Sequence, residues 1–284
     1  MKLSKIFALL LALCLISSAA CAATFTDAHG NVIELDDSLE AYAAVTLVGA
    51  DNAARQGETN LGDLWADALR WFAVSGEINA AFDEDDVKAG NDRIAVDADH
   101  VVALWNGGNL RADIAEGTFG AEALAEVLPF PNKVAVVYMT GAQLLETLEA
   151  ASQGLPYTAE TADACASLMQ VSGLTYTVDT TKAYDALEAY GDHWFTAGSV
   201  SRVRIDDVNG QPFDAEATYA VVTSNANFNG MDSSYVLKAA AEANEQSAVT
   251  TAVVRDVVFR FIAAELNHQV GEAYAAPQGR LTVL

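Results

Sequence analysis

The sequence predicts an α+β fold (mixed α/β): sheets of mixed strand direction packed with helices, preceded by a short N-terminal β-hairpin. Three observations predict it. The chain has 284 residues and is 52% hydrophobic, enough for a large core and too apolar for a disordered chain. Short apolar runs bounded by Gly, Pro and Asn alternate irregularly with stretches whose apolar residues recur three and four apart. No internal repeat or low-complexity linker interrupts the region 53–284, which therefore reads as one domain.

Residues 1–22 read as a secretory signal: Lys2 and Lys5 precede an apolar run from Ile6 to Ile16, and small residues follow from Ser17 to Ala23. Cleavage after Ala22 fits the small-residue rule through Ala20 and Ala22. The alternative is a lipid anchor on Cys21, although Ser18 stands where a lipobox carries a bulky aliphatic residue. Export to the periplasm, cell surface or medium follows in either case. The apolar run falls short of the roughly 20 residues that span a bilayer, and no other segment is longer and uncharged, so no transmembrane segment is expected.

Residues 23–52 read as an extension in which Thr24–Thr26 and Val32–Leu35 flank a Gly30-Asn31 turn, a hairpin pattern. From Glu58 the pattern becomes helical, with Asn60 as the candidate cap, Asp63 in the first turn, and Leu61, Leu64, Trp65, Ala68, Leu69 and Phe72 as an apolar stripe. Val101–Trp105 is a buried strand that stops at Asn106-Gly107-Gly108. A short helix follows near Ala121–Leu128, then the strand Lys133–Met139. Thr140-Gly-Ala-Gln143 supplies a capping box for the helix Leu144–Ala151. Strands are predicted at Leu174–Val178, Ser199–Ile205 and Tyr219–Thr223, with Asn209-Gly210 as a hairpin turn between the last two. A long amphipathic helix is predicted over Ala248–Leu266.

The charge narrows the partners. Formal net charge is −24. Of the 15 Lys and Arg, Lys2 and Lys5 lie in the signal, leaving 13 against 39 acidic residues. Such a surface repels a polyphosphate backbone, and no basic stripe with interleaved aromatics is present, so nucleic acid is excluded as a partner. A small nucleotide remains compatible with a local arginine cluster.

Several residues suit that ligand chemically. Phe130 and Phe228 lie in Pro-, Asn- and Gly-rich sequence rather than on an apolar stripe, where flat rings can stack on a base; the alternative for each is a core aromatic. Arg55 and Arg111 are scarce cations whose guanidinium fits phosphate or ribose oxygens, the alternative being surface ion pairs. Asn106 and Asp232 offer donors and acceptors for a base edge and ribose hydroxyls, or serve as turn residues.

Five motifs occur in order: Glu58-Thr-Asn60-Leu-Gly-Asp63, Asn106-Gly-Gly-Asn-Leu-Arg111-Ala-Asp-Ile114, Glu126-Val-Leu-Pro-Phe130-Pro-Asn132, Leu168-Met-Gln170-Val-Ser-Gly173-Leu-Thr-Tyr176 and Asn227-Phe228-Asn-Gly-Met-Asp232. Together with Gly279-Arg280-Leu281 they make the chain resemble the C-terminal, substrate-binding domain of the 5'-nucleotidase family. The resemblance implies nucleotide or nucleoside recognition: Phe130 and Phe228 sandwiching the base, Arg111 and Arg55 on phosphate or ribose, Asn106 on the base edge, Asp232 on the ribose. One loop departs from the family pattern. Gly230-Met-Asp232-Ser-Ser-Tyr235 stands where Gly-Gly-Asp-Gly before an aromatic is usual.

The family's hydrolytic chemistry resides in an N-terminal domain with two metal ions, and the sequence has no counterpart of it. Asp27-Ala28-His29-Gly30 resembles the opening of a metallophosphoesterase, yet no further ligand motif follows and the stretch also explains itself as a turn. His100, His193 and His268 show no ligand spacing. No Gly-x-Ser-x-Gly elbow is present, and polar, acidic surroundings are expected to raise the Cys165 pKa. The sequence therefore implies no catalytic residue, no metal and no cofactor in this chain. It implies an exported nucleotide-binding domain, the recognition half of a split nucleotide-hydrolysing system completed by a separate metallophosphoesterase subunit. The competing readings are a surface scaffold with a decayed pocket and a complete phosphoester hydrolase.

Intact-mass measurement of the exported protein should show cleavage after Ala22 or a diacylated Cys21. Recovery of the full-length chain in the cytoplasm would contradict the leader.

Overall fold

The computed structural model describes residues 23–26, 32–35, 40–82, 94 and 96–284. The signal segment and the Asp27-to-Gly30 motif lie outside the described residues. Ala23–Thr26 and Val32–Leu35 pair antiparallel, as the hairpin pattern predicts.

The domain is built on a five-stranded sheet in the order Ala248–Val253, Lys133–Thr140, Thr218–Ser224, Val101–Asn106, Met169–Ser172. Thr218–Ser224 runs parallel to Val101–Asn106, and the other neighbours are antiparallel. The central strands are apolar at nearly every position because both faces are covered. Successive side chains point to opposite faces, so Val101, Ala103 and Trp105 enter one core while Val102 and Leu104 enter the other. The first core is closed by the helices Asn60–Val74 and Val254–Ala264, the second by Gly141–Ala151 and Tyr235–Ala243. Two three-stranded sheets flank the body. One joins Val203–Val208, Leu174–Val178 and Leu281–Val283; the other joins Gln269–Val270, Glu40–Ala43 and Gly117–Gly120.

The predicted stripe on the long helix is fully buried throughout. Its cap is different from the one expected. Thr59 is the N-cap, its hydroxyl accepting from the Gly62 amide at 3.0 Å. Asn60 is already helical, and its buried side chain accepts from Val48 N at 2.8 Å and donates to Thr46 O at 3.0 Å and Tyr274 O at 2.8 Å. The capping box at Thr140 forms as predicted, with the helix running Gly141–Ala151.

Two other expectations are corrected. Residues 248–266 are not one helix: Ala248–Val253 is a strand, and the helix is Val254–Ala264. The β-branched run Val249-Thr250-Thr251 extends against Lys133–Thr140, where the Thr250 hydroxyl donates to Val134 O at 2.9 Å. The Asn209-Gly210 turn forms, with φ of 51° and 78°, but does not make a hairpin of its flanking strands. Val203–Val208 starts later than the Ser199 expected and pairs with Leu174–Val178. Thr218–Ser224, buried from Tyr219 onward, instead takes the centre of the main sheet, where both its faces are covered.

Thr59→Ala should lower unfolding stability by about 1 kcal/mol, the usual worth of a cap. Asn60→Ala should cost clearly more, on the order of 2–3 kcal/mol, because it leaves three backbone groups without partners. Denaturant midpoints compare the two; equal losses would contradict the assignment.

Candidate functional site

The strand Val101–Asn106 delivers the site. At its end Gly107 and Gly108 pass between the short helix Ala53–Gln56 and the turn Ala164–Ser167. A Cβ on Gly107 would stand 1.9 Å from Ala54 O, and one on Gly108 2.6 Å from the Ala166 Cβ. Only hydrogen fits there, which is why two glycines follow Asn106. The close approach holds the Arg55 helix against the strand end. Buried Gln170 secures the same segment from below, accepting from Thr59 N and donating to Ala54 O and Gly57 O.

A cavity of about 230 Å³ opens beside this turn, with Asn109, Arg111, Phe130, Asn132, Met231 and Asp232 among its lining. The Arg111 guanidinium lies over the Phe130 ring at 5.9 Å, a cation on an aromatic face. Phe130 is 44% exposed, so its ring remains open to a ligand. Asp232 has a φ of 54° and turns its carboxylate inward, where Oδ2 accepts from Asn106 Nδ2 at 2.8 Å. Burial pushes the Asp232 carboxyl above the usual carboxylate range, against the opposing pull of Arg55, Arg111 and the Asn106 amide.

Of the six residues read from the sequence, three line the cavity: Arg111, Phe130 and Asp232. Asn106 sits behind them. Its amide donates to Asp232 and its carbonyl accepts from Asn109 Nδ2 at 2.7 Å, so it orients the cavity wall rather than presenting a free edge. Arg55 is buried, donating to Ala162 O at 2.9 Å and lying 3.8 Å from Asp163, and it acts on the cavity through its charge. Phe228 is outside the lining, partly buried against the second core. Met231, 61% exposed, reaches the cavity from the same loop. Cys165 is buried, and it is burial, not acidic surroundings, that pushes its thiol up.

Sequence reasoning missed Asn109, Asn132, Met231 and Tyr190 as contributors. The first three fall inside the quoted motifs, whereas Tyr190, whose hydroxyl donates to Asp232 O at 3.1 Å, comes from the turn between the paired strands Ala186–Ala189 and Phe195–Ala197, with no local signal. Among the described residues no group of three or more His, Cys, Asp or Glu is placed to hold a metal ion, and no helix is long and apolar enough to cross a membrane.

The geometry defines a mixed α+β domain with a small open pocket, flanked by arginine and an aromatic ring, at the carboxyl end of a central strand. The sequence model of the 5'-nucleotidase C-terminal domain matches residues 40–239, and the chain belongs to that family. It is 28% identical over 188 residues to the trifunctional nucleotide phosphoesterase protein YfkN of Bacillus subtilis (strain 168), covering 65% of this chain and 10% of that protein. The crystal structure of a 5'-nucleotidase precursor from Thermus thermophilus superposes with a TM-score of 0.61 at 28% identity, covering 86% of this chain and 39% of that one. The NAD nucleotidase of Haemophilus influenzae shares the fold, with a TM-score of 0.56 at 16% identity over 86% of this chain and 38% of its own. The chain thus spans well under half the length of these relatives.

Gly107→Ala should destabilise the domain by roughly 1–3 kcal/mol, since the new methyl meets a backbone carbonyl. Gly57→Ala, with extended φ and nothing near its Cβ position, should stay within about 0.5 kcal/mol of wild type. Thermal or denaturant unfolding of both variants checks the close approach.

Proposed function

We propose that this chain recognises a nucleotide or nucleoside in the Arg111–Phe130–Asp232 pocket, as the substrate-recognition half of an exported nucleotide-hydrolysing system whose metal chemistry resides in a separate metallophosphoesterase. The observation that carries the reading is the exposed Phe130 ring beneath the Arg111 guanidinium, with Asp232 in the same lining. A base stacks on Phe130, the forked donors of Arg111 address a phosphate, and Asp232 accepts from ribose hydroxyls. Arg55 adds positive potential from behind, and Asn106 holds Asp232 in place. Phe228 contributes by fixing the loop that carries Met231 and Asp232, and turns towards the base only if that loop rearranges.

A scaffold role with a decayed pocket is the second reading. It is favoured by the packing of Phe228 against the second core, which leaves one aromatic face rather than two.

Calorimetric titration with adenosine, AMP, UMP and UDP-glucose tests both. Phe130→Ala should weaken binding of nucleoside and nucleotide alike, roughly tenfold or more, in line with about 1–3 kcal/mol per stacked base. Arg111→Ala should weaken AMP far more than adenosine. Phe228→Ala should lower stability and reduce affinity less than Phe130→Ala. A folded wild-type protein that binds none of the four at millimolar concentration leaves the scaffold reading in place.

A further inference from the structure

At the opposite end of the segment that carries Arg55, the first turn of the long helix meets the C-terminal segment in a buried polar cluster. Asp63 is fully buried, and its Oδ2 accepts from Gln278 N at 3.0 Å. Glu58 Oε2 accepts from Leu281 N at 2.9 Å. The remaining oxygen of each carboxyl, Asp63 Oδ1 and Glu58 Oε1, is buried with no hydrogen-bond donor. Both carboxyls thus dock on the same short C-terminal stretch, and the presence of Glu58 raises the pKa of Asp63. Two buried acceptors set side by side are costly unless a proton lies between them, because each has lost its water and carries the same charge.

The neighbouring cation Arg280 offsets only part of that cost. Arg280 Nε is 3.8 Å from Asp63 Oδ1, but the guanidinium forks onto Asp67, Nη1 to Oδ1 and Nη2 to Oδ2, both at 2.8 Å. Tyr274, from the C-terminal segment, also donates to Asp67, at 2.9 Å. Tyr176, on the adjoining strand, donates to Met169 O. Arg70, on the next turn of the helix, is held by Val101 O. Asp63 and Glu58 are left to satisfy each other.

We propose that Asp63 keeps its proton and donates it to Glu58, forming an acid–carboxylate latch that ties the C-terminal segment 274–281 to the long helix and opens when the proton is lost. The step moves a single proton to solvent and needs no co-reactant. Glu58 also lines an open cleft of about 560 Å³ with Gln56, Thr59 and Ala275 to Pro277, which gives that proton an exit. This proposal does not depend on nucleotide binding.

The electrostatics agree in direction. Burial, reinforced by Glu58 and opposed by Arg280, pushes Asp63 from 3.8 up to about 8. Above the ordinary carboxylate range the native chain holds a proton that the unfolded chain has released, so the stability this proton adds falls as pH rises and is lost through about 8.

The test uses the whole protein and Asp63→Asn, whose amide donates to Glu58 at every pH. Raising the pH from about 5 to about 9 should lower wild-type thermal stability relative to the variant, and the variant should be the more stable of the two at about pH 9. Hydrogen exchange corrected for its intrinsic pH dependence should show at least tenfold loss of protection at Gln278 and Leu281 in wild type and none in the variant. Infrared spectra of wild type at about pH 6 should carry a protonated-carboxyl band that disappears as pH rises, a readout available even if the variant fails to fold. Parallel pH profiles for the two proteins, or no such band in wild type, would overturn the latch.

Discussion

The strand Val101–Asn106 presents apolar side chains to both faces of the main sheet, and neither face can be left to water. Covering one face recruits the helices Asn60–Val74 and Val254–Ala264; covering the other recruits Gly141–Ala151 and Tyr235–Ala243. Once both layers are in place, the strand has one direction in which to end polar, and it ends at Asn106, which is 1% exposed and fully engaged. The pocket is the consequence. Its position follows from where the two-sided core stops, and its walls are the loops that the surrounding helices bring to that point.

Buried polar groups then decide how the outer pieces attach. Glu149, on a helix of the second core, accepts from the amides of Arg202 and Val203, while the Arg202 guanidinium donates to Ser152 O and Leu155 O. This fixes the strand Val203–Val208 against the helix, and leaving any of these buried groups without its partner costs more than the bond itself contributes. Asp67 and Arg280 do the same for the C-terminal segment, and Gln170 for the segment before the long helix. In a chain with 39 acidic residues, the few arginines that are buried act as anchors between elements distant in sequence.

That use of arginine bears on the pocket. Arg111 is exposed and faces the cavity, whereas Arg55 is tied to a backbone carbonyl and is within ion-pair distance of Asp163. Both act on Asp232, and their joint pull moderates the effect of its burial. The stretch from Asn225 to Ser234, a single helical turn Asn225–Phe228 followed by a loop, is equally divided: Asn227 and Ser234 bond to each other inside it, Phe228 faces the second core, and Met231 and Asp232 face the cavity.

Local pattern alone determined a good deal of this. The stripe from Leu61 to Phe72, the run from Val101 to Trp105 and the capping box at Thr140 each rest on neighbours within a few residues, and each is where the sequence puts it, whereas Gly107-Gly108 is required by the close approach of Ala54 and Ala166. Phe130 stood out by its Pro- and Asn-rich surroundings and Arg111 by its place in the Asn-Gly-Gly-x-x-Arg motif that carries the family resemblance, and both line the cavity. What the sequence left undecided depends on long-range partners. Val249-Thr250-Thr251 is compatible with a helix until Lys133–Thr140 offers an edge to pair with. The Asn209-Gly210 turn specifies a reversal but not which sheet receives the next strand. Asn60 looks like a cap until Val48, Thr46 and Tyr274 claim its side chain and Thr59 takes the role. Phe228 packs against the second core because burying its ring on a ready apolar surface is favourable, and that surface exists only once the second core is assembled.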